Sequence, residues 1–306
     1  MQWIITDIVA LKKHSDVLSN GKKKLQAPVK RELIKNIKAM FMHKVGYTLV
    51  NTVDSVVISA FVGVVALGLY SNYIMILTSL TEVLKLVFTS LTSVIGHLYI
   101  ESDKATTQKY SERFHLLNFI LGCVFFLGYY AVVDNLIAIL FSEDLIVPGS
   151  VLVVITLNGF IQFMRQSTLV FREATGTFYN DRWKPLLEGS VNIVLSIIFV
   201  QWFGVTGVIV ATIITNLLIC HIIEPYVLYK NAFELSPAKY YFKNYARIVL
   251  FAGALVVMEY CKQSFDGMWT DLFVNGFISI AVSLVVCLIV VIFNRNIVRD
   301  LIKRTK

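Results

Sequence analysis

Eight long apolar runs constrain the fold of this chain more than any other feature of its sequence. A transmembrane helix needs about 20 apolar residues to cross a bilayer core about 30 Å thick. Lipid cannot satisfy backbone N–H and C=O groups, so each run must pair its own backbone groups as a helix. We therefore predict an all-α, polytopic membrane helix bundle with about eight transmembrane helices. The runs lie at 45–62, 67–97, 115–133, 147–171, 186–203, 205–223, 246–262 and 272–293.

The composition of the chain agrees with a membrane bundle. Of its 306 residues, 57% are hydrophobic and 16% are charged, whereas a soluble domain carries about a quarter charged residues. The four cysteines have neither metal-ligand spacing nor a disulfide framework. No phosphate-binding glycine loop, G-x-S-x-G or H-E-x-x-H motif is present. We therefore expect no catalytic residue, no metal site and no cofactor, and we expect that the chain is not an enzyme.

The formal charge of +8 reports membrane topology. Lysine and arginine collect in the cytoplasmic loops of membrane proteins. When both termini are placed in the cytoplasm, most of the 28 basic residues fall in cytoplasmic segments, and the outer segment near 134–147 is acidic. We therefore expect a multi-pass protein with both termini cytoplasmic and with no nucleic-acid partner.

The segments outside the six-span bundle are short. Residues 28–44 carry apolar side chains at helical spacing with lysines on the other faces, which predicts a basic amphipathic helix. This helix either lies in the membrane interface or extends the first span into the cytoplasm. The predicted division is a cytoplasmic segment (1–27), this helix (28–44), the six-span bundle (45–223), a cytoplasmic connector (224–245), two further spans (246–293) and a basic cytoplasmic tail (294–306).

Paired glycines predict two tight turns between spans. The sequences FVGVVALG at 61–68 and FGVTGV at 203–208 each contain two glycines close to the end of an apolar run. Glycine tolerates positive φ angles, which such turns require.

Arg165 is a charged residue inside an apolar run, where a charge is not expected. It lies within the run 147–171, about 10 Å by helical rise from the cytoplasmic end. Its long side chain either reaches the lipid headgroups or faces a water-filled cavity and binds an anion. Gln162 lies on the same helix face, three residues earlier, and favours a cavity wall.

Other charged residues in the spans are candidates for ion coupling or gating. Asp54 lies midway through the first span with Asn51 on the same face, and it either binds a coupling ion or is hydrogen-bonded to neighbouring helices. Glu82 and Lys85 are spaced to pair on one helix face, which favours a structural pair.

Residues at the inner ends of the fifth and sixth spans are predicted to mark the membrane boundary. Glu188 is a candidate partner of Arg182 or Arg172. His221 and Glu224 are expected to end the sixth span, with Pro225 stopping its helix.

Four stretches of the sequence resemble one family of transporters. They are NTVDSVVISAFVGVVALGLYSNYIMI (51–76), FMRQSTLVFREATGTFYNDRWKPLLE (163–188), FGVTGVIVATIITN (203–216) and IIEPYVLYK (222–230). In order and spacing they are similar to the Wzx-type polysaccharide flippases, within the MOP flippase superfamily. The resemblance covers nearly all of the chain after about residue 30.

The resemblance implies a function and a site. That family moves lipid-diphosphate-linked oligosaccharides across the bacterial inner membrane, through a cavity with cationic side chains between two six-helix lobes. By this likeness Arg165, Arg172, Arg182 and Lys184, together with Gln162, are expected to contact the diphosphate or sugars. The implied partners are the lipid-linked oligosaccharide, membrane lipids and other polysaccharide-assembly membrane proteins.

The chain resembles the second lobe of such a transporter together with two extra helices. We therefore expect a C-terminal part of a larger protein, with the helices of the first lobe supplied from outside this chain. The alternatives are another exporter of the superfamily, for drugs or peptidoglycan precursors, a membrane component of polysaccharide synthesis, and a scaffold without transport activity.

Overall fold

The structure, a computed structural model, describes residues 26–265 and 267–295. The predicted segment 1–27 and the predicted tail 294–306 therefore lie almost entirely outside the described residues. The described backbone is nearly all helical and contains no strand. Its α-helices are α1 (Ala27–Phe61), α2 (Val64–Ser90), α3 (Thr92–Glu101), α4 (Lys104–Leu140), α5 (Gly149–Met164), α6 (Gln166–Ala174), α7 (Lys184–Thr215), α8 (His221–Leu228), α9 (Ala238–Cys261) and α10 (Met268–Phe293).

The chain divides into two compact units, Met1–Phe41 and Met42–Lys306. In the first unit the described residues form the N-terminal part of α1, and its apolar side chains Val29, Leu33 and Ile37 are exposed. Helix α1 runs without a break from Ala27 to Phe61, so no helix end marks the predicted boundary between residues 44 and 45. The choice between an interfacial helix and an extension of the first span stays a prediction.

Five helical segments of the described residues are long and apolar enough to cross a membrane. They are Val64–Glu101, Lys104–Leu140, Tyr179–Phe233, Ala238–Cys261 and Met268–Phe293. The longest contains two of the predicted spans, and each of the others coincides with one. The protein is therefore an all-α, multi-pass membrane helix bundle, as the sequence predicts.

The other two apolar runs form shorter apolar helices. The run 147–171 is divided at Arg165 into α5, of 16 residues, and α6, of 9 residues. In the first run the apolar helical part is Thr52–Phe61. The total of eight spans stays a prediction, since length and hydropathy together identify five segments in the described residues.

One glycine of each predicted pair adopts a positive φ angle. Gly63 has φ of 115° and separates α1 from α2, and Gly204 has φ of 55° and interrupts α7. The second glycine of the later pair serves close packing, because a Cβ atom on Gly207 would lie 2.2 Å from the carbonyl oxygen of Phe199. Each predicted turn therefore contains a glycine with a positive φ angle, and in the second turn the other glycine, Gly207, allows close packing.

Helix α4 lies at the centre of the larger unit and packs against α5, α9 and α10. Fully buried aromatic side chains fill these interfaces, and the rings of Phe160 and Phe251 stack with centroids 3.6 Å apart. Asn118 on α4 donates its Nδ2 hydrogen to the carbonyl oxygen of Phe163 at 2.9 Å. This contact fixes the backbone two residues before Arg165, where α5 ends.

Candidate functional site

Six charged side chains, five of them buried and that of Arg165 partly exposed, meet where several helices are interrupted. Arg165 occupies the junction of α5 and α6, and Glu224 lies in the short helix α8. The others come from the end of α6, from the 3₁₀ turn Thr177–Asp181 and from the start of α7. We call the set the ion cluster, and its members are Arg165, Arg172, Asp181, Lys184, Glu188 and Glu224.

Arg165 makes the most directed contacts of the ion cluster. Its Nε and Nη2 atoms donate to the two carboxylate oxygens of Glu224 at 3.1 and 2.6 Å. Its Nη1 atom donates to Oδ1 of Asn216 at 2.7 Å and lies 3.7 Å from a carboxylate oxygen of Glu188. Two-point pairs of this kind fix orientation as well as charge. The guanidinium is therefore held between helices of the bundle by Glu224 and Asn216.

Lys184 joins the two glutamates of the ion cluster. Its Nζ atom lies 2.6 Å from Oε1 of Glu224 and 2.9 Å from Oε2 of Glu188, which is one helical turn further along α7. The same Nζ atom is 3.6 Å from Sγ of Cys220. Pro185 in the first turn of α7 suits the helix start and places Lys184 at its first position.

Arg172 and Asp181 form the third pair. Arg172 Nη2 donates to Oδ1 of Asp181, and Arg172 Nη1 lies 3.8 Å from Oε1 of Glu224. Both side chains are almost fully buried. The pair thereby ties the 3₁₀ turn to the end of α6 and links that turn to the rest of the ion cluster.

The ion cluster is formally neutral, with three cations and three carboxylates. Removing one partner of a buried ion pair leaves an uncompensated charge, which costs about 3–5 kcal/mol. An anionic ligand can therefore bind these cations only when a carboxylate moves away or takes up a proton.

The helix that carries Glu224 is irregular on both sides. Asn216–Cys220 and Tyr229–Phe233 are π-helical turns, which flank α8. Asn216 accepts from Arg165 through Oδ1 and donates through Nδ2 to the carbonyl oxygen of Thr212 at 3.0 Å. π-Helical turns occur frequently at functional sites. Here they bring Asn216 and Glu224 to the same guanidinium.

The structure brings together three of the five residues expected to contact substrate. Arg165, Arg172 and Lys184 belong to the ion cluster. Gln162 is exposed, and the Arg182 guanidinium lies over the ring of Tyr179 with its central carbon 4.6 Å from the ring centroid. Arg182 therefore lies outside the ion cluster, although it precedes Lys184 by only two residues.

The candidates for ion coupling lie elsewhere. Asp54 is buried and accepts a hydrogen bond from Thr212 Oγ1 at 2.9 Å, and Asn192 Nδ2 donates to the same hydroxyl at 2.9 Å. The side chain of Asn51 is outside the described part of the structure. Glu82 and Lys85 form the predicted pair at 2.7 Å on an exposed face of α2. Of the candidates whose side chains the structure describes, Asp54 is the one placed among buried polar groups.

Two sequence-based expectations at the span ends are wrong. Glu188 pairs with Lys184 and Arg165 instead of Arg182 or Arg172, because one helical turn separates it from Lys184. Glu224 and His221 are almost fully buried between helices, and their place at the membrane boundary stays a prediction.

Pro225 does not stop the helix, since α8 continues to Leu228. The proline follows a π-helical turn, where the regular hydrogen-bond ladder is already interrupted, so its missing N–H is tolerated.

Two buried polar residues carry no signal in the sequence. Asn216 and Arg247 are almost fully buried, and Arg247 is the second residue of the run 246–262. No group of histidine, cysteine and acidic side chains among the described residues has the arrangement of a metal site. The ion cluster is thus the main concentration of buried charge in the described residues.

Comparison with known proteins finds no relative: no protein-family model, curated protein or solved structure matches this chain.

Proposed function

We propose that the chain is a transporter, not an enzyme, and that it moves a lipid-diphosphate-linked oligosaccharide across the bacterial inner membrane for surface polysaccharide export. The observation that carries the proposal is the ion cluster at the interrupted helices α5–α6 and α8. Ionisable side chains inside a membrane bundle mark substrate or ion pathways. Interrupted helices around a buried polar site are typical of transporter binding sites.

The choice of substrate rests on the sequence resemblance. Three of the stretches similar to polysaccharide flippases contain every member of the ion cluster and its partner Asn216. Two phosphates offer several oxygens to Arg165 and Lys184, which now contact carboxylates. Under this proposal the protein works with membrane lipids and other polysaccharide-assembly membrane proteins.

The geometry suggests how a diphosphate would enter the ion cluster. Its oxygens would replace those of Glu224 and Glu188 as partners of Arg165 and Lys184. Because the ion cluster is neutral, this exchange leaves two carboxylates without cations in a poorly solvated site. Proton uptake by these carboxylates would remove the imbalance, so ligand binding and protonation are coupled in the proposed cycle.

The test is ligand binding by the purified chain in lipid nanodiscs, followed by native mass spectrometry. The probe is a short-chain polyprenyl diphosphate carrying one oligosaccharide repeat, with the corresponding monophosphate as competitor. We expect the diphosphate to bind at least tenfold more tightly than the monophosphate, and more tightly at pH 5.5 than at pH 8. Equal binding of the two lipids would overturn the diphosphate proposal.

A charge-matched variant separates ligand binding from folding. The double substitution Arg165→Gln with Glu224→Gln keeps the ion cluster neutral, so the chain is expected to fold and to lose diphosphate binding. The control is Lys85→Gln with Glu82→Gln, which removes an exposed pair and should bind like the unchanged chain. In proteoliposomes that also contain the helices of the first lobe, a labelled lipid should change leaflet with the control and not with the double variant at Arg165 and Glu224.

A further inference from the structure

The helical segment Val64–Glu101, which consists of α2 and α3, carries charge at its midpoint. Glu82 lies eighteen residues after the start of this segment and nineteen before its end. Its Oε1 atom is 2.7 Å from Nζ of Lys85, and the two side chains are 62% and 37% exposed. Ionisable side chains in membrane spans almost always face the bundle interior or a water-filled cavity. An exposed pair at the middle of a span therefore requires an explanation.

Helix α2 has three distinct faces. One face is packed in the bundle, with buried side chains such as Tyr73, Leu77 and Phe88. A second face is apolar and open, and Val83 and Val87 on it are 62% and 56% exposed. The third face is polar and open, and at about 100° per residue its four members lie within about 60° of one another. We call it the polar face, and its members are Thr78, Glu82, Lys85 and Thr89.

Neither lipid nor a closely packed helix suits the polar face. The ion pair occupies one carboxylate oxygen of Glu82, and the other hydrogen-bonding atoms of the pair need partners that lipid tails do not supply. Membrane helices pack closely through small side chains, whereas Glu82 and Lys85 are long. Water can satisfy these atoms and fill the space beside them.

The hydroxyl groups of the polar face present acceptors to the surroundings. Thr78 Oγ1 donates to the carbonyl oxygen of Ile74 at 2.7 Å, and Thr89 Oγ1 donates to that of Lys85 at 3.0 Å. Each hydroxyl oxygen keeps lone pairs for a donor outside the helix. Because Glu82 and Lys85 cancel in charge, the complement of this face is water or an uncharged solute rich in hydroxyl groups.

We propose that the polar face is one wall of a water-filled groove within the membrane, which admits uncharged, hydroxyl-rich solutes. Along α3 the groove would continue past Ser93, which is exposed four residues after Thr89. It would end at the exposed pair of His97 and Glu101, whose Nδ1 and Oε2 atoms are 3.0 Å apart. The ion cluster lies between other helices, so this groove is a second polar region of the protein.

The test is the reaction of single introduced cysteines with water-soluble methanethiosulfonates, in membrane vesicles from the cells that make the protein. Thr78→Cys and Thr89→Cys report on the polar face, and Val83→Cys and Val87→Cys are matched controls on the apolar open face. Mass spectrometry of peptides assigns each label to its position, so the native cysteines stay in place. Unfolding in sodium dodecyl sulfate checks that every introduced cysteine can react.

We expect the two polar positions to react at least about tenfold faster than the two apolar positions, because the reactive thiolate forms in water and not in hydrocarbon. Equal rates on the two faces would overturn the proposal. Absence of reaction at all four positions before unfolding would also overturn it, because lipid or a packed helix would then cover the polar face. No substrate is used, so the result is independent of the lipid-binding test of the proposed function.

Reagents of opposite charge test which solutes the groove admits. The trimethylammonium and sulfonate reagents, each normalised to its rate with a small thiol in solution, should react with Thr89→Cys at rates within about threefold of each other, since the face is neutral. A larger preference for either reagent would contradict a groove for uncharged solutes.

Paired substitutions test what keeps the groove hydrated. Glu82→Gln with Lys85→Gln leaves the face polar and neutral, so the reaction at Thr89→Cys should persist. Glu82→Leu with Lys85→Leu makes the middle of the face apolar and should slow the reaction. An equal rate in the two paired variants would contradict the role of this pair in holding water at the middle of the membrane.

Discussion

Among single residues, Glu224 is the carboxylate that contacts all three cations of the ion cluster. Its Oε1 atom lies 2.6 Å from Arg165 Nη2, 2.6 Å from Lys184 Nζ and 3.8 Å from Arg172 Nη1. Glu188 reaches only the first two of these cations and does so at longer distances. The ion cluster therefore depends on one carboxylate more than on any other.

We predict that Glu224→Gln destabilises the protein by about 3–5 kcal/mol, because it leaves a buried positive charge without a partner. Unfolding by sodium dodecyl sulfate in mixed micelles measures the change. Glu234→Gln is the control, since its pair with Lys104 is exposed and is worth about 1 kcal/mol or less. A loss at Glu224 no larger than the loss at Glu234 would show that the ion cluster is solvated.

The sequence could identify the cations of this site better than its acids. Arg165 stands out because a charged residue within an apolar run is a candidate for a functional site. Glu224 lies close to the predicted end of a span, where a charged residue is ordinary. Its burial follows from the π-helical turns around α8, and local sequence patterns carry no clear signal for those turns.

Among helices, the interface between α1 and the start of α7 depends on a glycine. A Cβ atom on Gly46 would lie 2.2 Å from Cβ of Pro185 and 2.9 Å from its carbonyl carbon. Pro185 is held at the first turn of α7, next to Lys184, and its backbone has little freedom to move. Close packing at Gly46 thus supports the helix start that carries part of the ion cluster.

We predict that Gly46→Ala destabilises the protein by about 1–3 kcal/mol, as expected for overpacking in a buried interface. Gly253→Ala is the matched control, because a Cβ atom there meets no other atom within 4 Å. Alanine also favours helix formation over glycine by up to about 1 kcal/mol, so the control should be neutral or slightly stabilising. Thermal unfolding of both variants in one detergent distinguishes them, and equal Tm values would contradict the close contact.

The presence of the helices was predictable, because the length of an apolar run and a glycine at a turn are both local signals in the sequence. The runs 115–133 and 272–293 each coincide with one long helix, and the turns at Gly63 and Gly204 have the expected positive φ. The break at Arg165 was not predictable, since residues 160–170 contain neither proline nor glycine. The tertiary contacts of Asn118 and Glu224 decide that break.

For the whole molecule, the last long helix packs along the central helix of the bundle. Cys123 on α4 and Cys287 on α10 are both buried, free cysteines on these two packed helices. The hydroxyl of Ser283, one turn earlier on α10, donates to the carbonyl oxygen of Cys123 at 3.5 Å. These contacts hold α10 against α4 along the middle of both helices.

We predict that an apolar oxidant such as iodine forms an intramolecular disulfide between Cys123 and Cys287. Mass spectrometry of peptides, without reduction, detects the product. Cys123→Ser should remove it, while Cys220 and Cys261 should stay unlinked in the unchanged chain. Linkage of Cys123 to Cys220 or Cys261 instead would contradict the packing of α10 on α4.

The π-helical turn Asn216–Cys220 determines the direction in which the side chains of the following helix α8 point. Such a turn contains one residue more than an α-helical turn, and one residue corresponds to about 100° of rotation in an α-helix. A deletion of one residue within the turn would restore regular helix and rotate α8 by that angle. Glu224 would then point away from Arg165 with every amino acid of the ion cluster still present. The position of the Glu224 carboxylate therefore depends on the number of residues in the turn as well as on their identity.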